Sequence, residues 1–435
     1  MSKKIYILIF IVGLFFVSFL LLYSMPQILE RVSWHVDDLR GRVQYLFKPP
    51  QKVVFDPARV TEMALIAPSP QGSSQGIATI PLTTPTIAAT QTLFPMTTLT
   101  PTQNPLPMQV DLKGVRYMDQ HGLNNFCAPT NLAMLISFWG WDGDRIDVGK
   151  IVKPYAKDKN VMPYEMADYI REQTNLNVII RVGGNVDTIK RFNAAGFPVL
   201  IEKGTFIVDI YKNLSWMGHY NVITGYDEEQ GVFIVQDSYF QPDMKMPYKQ
   251  IEDEWRGFNF LYMVAFTPEK YSEVINILGA DADEKTNYLN AADKASYEIV
   301  ALKGVDQFFA WVNRGDNLAE LQDYGGASDC YDEAFKLYPT IEEEKRPWRV
   351  IWYRTGPYKA YFGVGRYQAV IDLATTTLDQ MSEPYLEESY FWRARAKWEL
   401  GDQKGAIDDF KKSLEYHHDF GPTLYQIELL GINIK

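Results

Sequence analysis

Three residues in the middle of the chain are of the types that thiol-based nucleophilic catalysis requires. Cys127 begins the apolar run CAPTNLAMLISFWGW, in which Pro129 suits the first turn of a helix. A helix that begins there directs free backbone N–H groups and the positive end of its dipole at the thiol, which favours the thiolate. Among five histidines, His219 is followed within one segment by Asp237. These residues predict a Cys–His–Asp site.

The segment GHYNVITGYDEEQGVFIVQDSYF predicts the β-hairpin that brings the histidine and the aspartate together. Two strand-like runs, 222–223 and 232–235, flank the polar turn 227–231. A turn centred near Glu228 places His219 directly across from Asp237, with Cβ atoms about 4.5–5.5 Å apart. In that register the carboxylate can fix the imidazole tautomer, and the imidazole can take and return the thiol proton.

A tetrahedral intermediate at Cys127 also requires donors for its oxyanion. The backbone N–H of Cys127 at the helix start supplies one of them. A side-chain amide slightly upstream is the natural second donor, and Gln120, Asn124 and Asn125 are all available.

These segments together resemble the papain-like, double-glycine-peptidase-type domain, best known as the bacteriocin-processing peptidase domain. The resemblance covers about 160 residues and rests on Gln120, on Cys127-Ala128-Pro129-Thr130, on 218–227 (GHYNVITGYD) and on Gln236-Asp237-Ser238. It implies an α+β fold in which the nucleophile helix packs on an antiparallel sheet. It further implies that Cys127 is the nucleophile, His219 the base, Asp237 the residue that orients the base, and Gln120 the oxyanion donor.

Two features depart from the family pattern and keep alternatives open. The family usually has glycine after the cysteine, where this chain has Ala128, and its glutamine usually lies five or six residues before the cysteine, whereas Gln120 lies seven before. The sequence predicts a cysteine peptidase that hydrolyses peptide or amide bonds. The alternatives are a catalytically inactive binding module that acts as a surface scaffold, and a cell-wall peptide amidase.

The carboxy-terminal part resembles tetratricopeptide repeats, which predicts a helical solenoid that binds a protein partner. The first repeat spans Ala310–Pro339, the second begins near Tyr353, and the third is WRARAKWELGDQKGAIDDFKKSLEY. Gln322, Gly365 and Gly401 fall at corresponding positions of the three repeats. Helices within 270–307 supply a partial capping repeat, and Cys330 faces the core.

The amino-terminal segment predicts a membrane anchor. Residues 5–23 are uncharged and long enough to span the hydrocarbon layer, and Lys3 and Lys4 place the amino terminus in the cytoplasm. Leu29, Val32, Val36, Leu39, Val43 and Leu46 form a three-heptad apolar seam. This seam predicts either an amphipathic helix or a short parallel dimer. Residues 61–110 hold eleven Thr, eight Pro and one charged residue, Glu62, which predicts an extended stalk.

The predicted organisation is therefore a cytoplasmic tail at 1–4, a transmembrane anchor at 5–23, a juxtamembrane helix at 24–48, a stalk at 49–108, a papain-like cysteine peptidase domain of α+β class at 109–268, and an all-α tetratricopeptide-type solenoid at 269–435. The bulk of the chain is then extracytoplasmic. A formal charge of −11 disfavours nucleic-acid binding. We predict no cofactor and no metal site, since His417 and His418 would need further ligands that the sequence alone does not identify.

Overall fold

The computed structural model describes residues 105–434 except 156–157, 209–213 and 382, together with the isolated residues Leu39 and Val43. The predicted tail and anchor, and almost all of the juxtamembrane helix and stalk, lie outside the described residues. Of the heptad seam, Leu39 and Val43 are both helical and exposed. Among the helices of the described part, none combines the length and apolar character that a membrane span requires.

Within the described residues, the first part of the chain forms one antiparallel sheet of seven strands. The strands are β1 (Gln109–Asp111), β2 (Asn177–Arg181), β3 (Val199–Val208), β4 (Leu214–Asp227), β5 (Val232–Gln236), β6 (Met244–Pro247) and β7 (Tyr262–Phe266). Their order is β2-β7-β3-β4-β5-β6, and β1 pairs with the end of β4. The long strand β4 is therefore central and contacts β1, β3 and β5.

Helices cover both faces of this sheet. They are α1 (Cys127–Ser137), α2 (Arg145–Val152), α3 (Pro163–Gln173), α4 (Val186–Ala194), α5 (Tyr248–Arg256) and α6 (Tyr271–Leu278). Helices α1, α2 and α3 pack on the face that carries Leu200 and Val222. Helices α4, α5 and α6 pack on the opposite face, which carries Ile201 and Ile223. The alternation of adjacent strand residues between two buried faces explains why these strands are apolar throughout.

The β4–β5 hairpin forms as predicted, but the predicted register is wrong by two residues. Gln236 pairs with Val222, whereas a turn centred on Glu228 would pair it with Tyr220. The turn is centred beyond Glu228, and the register shifts between Ile223 and Gly225. This irregularity adds a residue to β4, as a β-bulge does, and sequence alternation alone does not reveal it. Asp237 therefore follows the end of β5 and is not directly opposite His219.

The second part of the chain is helical, as predicted, but it begins at α7, because α6 of the predicted capping segment packs on the sheet. Its helices are α7 (Glu284–Ala301), α8 (Gly304–Glu320), α9 (Tyr324–Leu337), α10 (Val350–Tyr353), α11 (Gly356–Gly363), α12 (Tyr367–Asp379), α13 (Glu387–Glu399), α14 (Gln403–Tyr416) and α15 (Gly421–Leu429). The pairs α8–α9, α11–α12 and α13–α14 are the three predicted repeats. Gln322, Gly365 and Gly401 each adopt a positive φ in the turn of their pair. The three turns therefore have the same backbone geometry, which supports the sequence register of the repeats.

The sheet part and the repeats share one hydrophobic core. The indole of Trp216 on β4 stacks on Phe258, with ring centroids 5.5 Å apart, and lies 5.4 Å from the ring of Phe309 on α8. Polar contacts reinforce this junction. Asn160 Nδ2 donates to the Trp352 carbonyl at 2.7 Å, and Asn313 Nδ2 donates to the Arg256 carbonyl at 2.9 Å. The repeats are therefore packed on the sheet domain rather than loosely tethered to it.

Candidate active site

Cys127 is the first residue of α1, a helix that is otherwise fully buried. Residues 128–137 are buried, whereas Cys127 is half-buried. No side chain caps the amino-terminal end of α1, so its first-turn N–H groups remain available to a negative charge. The fold thus places a partly accessible thiol at an electropositive helix end.

His219, in the middle of β4, is buried between the thiol and a carboxylate. Its Nε2 lies 2.9 Å from Asp237 Oδ1, and its ring also hydrogen-bonds with Cys127. Burial alone lowers the pKa of His219, but the negative charge of Asp237 and these hydrogen bonds outweigh burial and raise the pKa to about 9. Because Nε2 faces Asp237, Nδ1 is the ring nitrogen left to face the thiol. This arrangement favours the imidazolium form of His219.

Asp237 is held rigidly in the turn after β5. Its Oδ1 accepts hydrogen bonds from the backbone N–H groups of Tyr239 at 2.9 Å and Phe240 at 3.2 Å. Burial raises the pKa of Asp237, but the facing charge of His219 dominates and holds it well below its usual range. Asp237 is therefore an ionised carboxylate at neutral pH.

Gln120 is oriented by a chain of hydrogen bonds that starts on α1. Asn131 Nδ2 donates to the Cys127 carbonyl and to Ser238 Oγ, both at 2.8 Å. Ser238 Oγ in turn donates to Gln120 Oε1 at 2.7 Å, and the Gln120 backbone N–H donates to the Ser238 carbonyl at 2.9 Å. Because its oxygen is occupied, the amide nitrogen of Gln120 remains free to serve as a donor beside the site.

Two other polar residues upstream of Cys127, Asn125 and His121, are engaged elsewhere. Asn125 Nδ2 donates to the Asp158 carbonyl at 3.1 Å. His121 is exposed and pairs with Asp119 at 2.6 Å, and the Tyr239 ring packs against the rings of both His121 and His219. The structure therefore brings together Cys127, His219 and Asp237, with Gln120 linked to them through Ser238.

Ala128 is buried in the core beneath the sheet. Its side chain is 2% exposed and belongs to the core between α1 and the sheet. A methyl group in that position does not narrow the approach to Cys127, so this departure from the family pattern is absorbed by the core.

Sequence reasoning assigned no role to three residues that surround the site. Asn131 follows Cys127 by one helical turn, and its polarity within an apolar helix is a signal that could have identified it. Ser238 belongs to the motif Gln236-Asp237-Ser238, but the sequence did not indicate a role for it. Tyr353, at the end of α10, packs against Gly218, and the charge of Cys127 contributes to its raised pKa of about 12, which is mainly due to burial. Nothing in the sequence links residues this far apart.

A cavity of about 190 Å³ opens where the sheet domain meets the repeats. Glu202 of β3 and Tyr353 line it together with Arg354 and Phe258. Burial raises the pKa of Glu202 to about 8, although a hydrogen bond with Tyr220 and the charge of Arg354 oppose this. Since Tyr353 also packs against Gly218, the neighbour of His219, the cavity adjoins the candidate site.

A thiol at a helix start that faces a strand-borne histidine and an aspartate in the following turn is the arrangement that the resemblance implied. Comparison with family models agrees: residues 112–263 match the Peptidase C39-like family, and residues 308–341 and 387–416 match tetratricopeptide repeats. The resemblance predicted from the sequence is thereby confirmed for both parts of the chain.

Comparison with solved structures matches a crystal structure described as that of a C39-like peptidase from Bacillus anthracis. The two share 18% sequence identity with a TM-score of 0.31, and the match covers 37% of this chain and 98% of that one. Comparison with curated proteins finds no significant match.

Proposed function

We propose that this protein is a cysteine peptidase that hydrolyses peptide bonds through an acyl-enzyme. The observation that carries the proposal is the continuous contact from Cys127, at the start of a buried helix, through His219 to the ionised Asp237. A buried imidazole held between a thiol and a carboxylate has the geometry of an activated nucleophile.

Each of the four residues has a distinct part in the mechanism. His219 holds the proton of Cys127, and the thiolate attacks the carbonyl carbon of the substrate. The oxyanion accepts hydrogen bonds from the Cys127 N–H and the Gln120 amide. His219 then protonates the leaving amine as the C–N bond breaks, which leaves a thioester on Cys127. A water molecule, deprotonated by His219, hydrolyses the thioester and regenerates the thiol. Throughout, Asp237 stabilises the imidazolium.

Two observations favour this proposal over an inactive binding module. The Ala128 side chain lies in the core, and Gln120 is tied to the site by Ser238 although it lies one residue further from Cys127 than the family pattern. A module that had lost activity would have no need for a hydrogen-bond chain that presents an amide donor.

The substrate we propose is a peptide or protein segment that approaches along the junction between the two parts. Tyr353, which belongs to the repeat part, packs against Gly218 next to His219, and the adjoining cavity is lined from both sides. The repeats would bind a protein partner or the substrate itself, as helical repeats do.

The test is to incubate the full chain with a denatured protein and with purified cell wall side by side, and to analyse the products by mass spectrometry. Cleavage of the protein substrate, abolished in Cys127→Ala and His219→Ala and retained in Cys330→Ala, would support the proposal. Cys330 is a matched control because it is buried, and burial raises its pKa. Release of peptides from cell wall alone would favour the amidase. Absence of both would favour the binding module.

We also propose that residues 5–23 anchor the protein in the cell membrane with the peptidase outside, and that the seam at 29–46 contributes to dimerisation. Membrane fractionation with protease accessibility on intact cells tests the first point. Recovery of the full chain in the soluble fraction would contradict it. Comparison of cross-linking in the full chain and in a Val36→Asp variant tests the contribution of the seam to dimerisation.

A further inference from the structure

A second cluster of ligand-type side chains lies at the junction between the sheet domain and the last repeat. Glu165 is in the first turn of α3, Glu387 begins α13, and His417 follows the end of α14. One ligand atom from each lies within 4.8 Å of the other two. His417 Nδ1 is 2.8 Å from Glu387 Oε1 and 3.9 Å from Glu165 Oε1. The triad thus combines residues from both parts of the chain.

Buried carboxylate oxygens in this cluster have no hydrogen-bond donor. The Glu387 side chain is 2% exposed, and its Oε2 has no partner. Oε2 of the neighbouring Glu388, which is 5% exposed as a residue, is also without one. A buried carboxylate oxygen that lacks a donor carries a large desolvation cost, so a further cation bound here would relieve it.

Carboxyl groups predominate around this cluster. Four carboxyl groups meet here, because Asp158 interacts electrostatically with Glu165, Glu387 and Glu388. Lys153 and the imidazole of His417 also face this cluster, and Lys153 Nζ donates to the Asp158 backbone carbonyl. A bound divalent ion would supply positive charge that these buried carboxyl groups lack.

His417 is oriented as a metal-binding imidazole would be. Its Nδ1 lies 2.8 Å from Glu387 Oε1, and its Nε2 lies 3.4 Å from Asp419 Oδ1. In the tautomer protonated on Nε2, the lone pair of Nδ1 would be directed at a metal ion held between the two glutamates. A carboxylate behind the distal nitrogen is the usual outer partner of a histidine ligand. Two carboxylates and one imidazole suit zinc or manganese better than calcium, which takes six to eight oxygen ligands.

We infer that Glu165, Glu387 and His417 form a binding site for a divalent transition-metal ion, zinc in the first instance, that joins the last repeat to the sheet domain. The sequence predicted no metal site. The first and last of the three ligands lie more than 250 residues apart, so their spacing in the sequence does not indicate that they meet. The ion would hold α13 and α14 against α3, and it has no part in the thiol chemistry.

The test uses the full chain in a Cys127→Ala background, so that zinc captured by the reactive thiol does not count. The protein is stripped with a chelator, and binding of Zn²⁺, Mn²⁺ and Ca²⁺ is measured by calorimetry and by the shift in thermal unfolding. We expect one equivalent of Zn²⁺ to bind and to raise the unfolding temperature. Loss of an outer partner costs about 10–100-fold in affinity, so the loss of a ligand in Glu387→Gln or His417→Gln should cost at least that.

His418→Gln is the matched control, because this adjacent histidine is 69% exposed and outside the triad. It should bind zinc as tightly as the parent protein. Absence of zinc binding, or equal binding in Glu387→Gln, His417→Gln and the control, would overturn the inference. Tighter binding of Ca²⁺ than of Zn²⁺ would overturn the assignment to a transition metal. Peptidase activity is not measured, so these outcomes are independent of the proposed function.

Discussion

Replacing Asp237 with asparagine isolates the charge that sustains the thiolate–imidazolium pair. Asparagine keeps an oxygen that can accept from His219 Nε2 and from the backbone N–H groups of Tyr239 and Phe240, so the geometry of the turn can persist. The negative charge is removed. Any change in the ionisation of His219 then reports electrostatics rather than lost contacts.

The expected magnitude follows from the position of His219. Its pKa lies at about 9 instead of 6.5 although burial acts in the opposite direction, so its partners favour the imidazolium by at least about 3 kcal/mol. Without the Asp237 charge, burial is opposed only by the contact with Cys127. We expect the pKa of His219 to fall to its ordinary value or below, which makes the imidazolium a minor species at about pH 7.

Two measurements check this prediction on the full chain. The imidazole resonance that disappears in His219→Gln identifies His219, and its titration should move from about pH 9 to below about pH 7 in Asp237→Asn. Alkylation of Cys127 by a neutral reagent at about pH 7 should slow about 100-fold, because about 3 kcal/mol corresponds to slightly more than two decades. Asp243→Asn, an exposed acidic residue in the same turn region, is the control and should change neither quantity. Titration of His219 near pH 9 in Asp237→Asn would refute the reasoning.

Three further predictions concern stability and the oxyanion donor. Trp216→Ala should lower the unfolding free energy by about 3–5 kcal/mol and split the single calorimetric transition into two. Trp141→Ala is the control and should not split the transition, because the ring of Trp141 packs inside the sheet domain. A single transition in Trp216→Ala would contradict a shared core. Because the pKa of His219 is raised on folding, its stabilisation is complete below about pH 6.5 and disappears as the pH rises through about 9. The unfolding free energy measured by urea titration should therefore fall across that pH window by up to about 3 kcal/mol more than in His219→Gln. Parallel plots of unfolding free energy against pH for the two proteins would contradict this. Gln120→Ala should lower kcat about 10²–10³-fold and Ser238→Ala about tenfold at constant KM; an unchanged kcat in Ser238→Ala would show that its hydroxyl does not orient the amide.

The features that could be predicted from the sequence are those encoded within a single element. The start of α1 at Cys127 follows from an apolar run with proline in its first turn, and the hairpin follows from two β-rich runs around a polar turn. The repeats follow from recurring small and aromatic residues, and their turns at Gln322, Gly365 and Gly401 share one backbone geometry. Local propensity and periodicity determine all of these.

The features that the sequence did not reveal depend on irregularity or on contacts between distant segments. The shift between Ile223 and Gly225 changes the register of β4, and no alternation pattern indicates it. His219 and Asp237 nevertheless meet, because an imidazole and a carboxylate at the end of a hairpin reach across a diagonal pair as well as a direct one. The predicted contact between His219 and Asp237 is therefore present although the predicted register of the hairpin is wrong.

The junction between the two parts changes how the repeats can assist the active site. A tethered binding domain raises the local concentration of its ligand by an amount that linker length sets. Here Trp216 packs in the core of the repeats, Arg354 of the repeat part donates to the Gly257 carbonyl at 2.6 Å, and Tyr353 packs against Gly218 next to His219. The repeats are packed against the part of the chain that carries Cys127, so under the proposed function they would contribute by orienting a bound chain. A substitution that loosens the junction should therefore impair cleavage of partner-bound substrates more than that of short peptides.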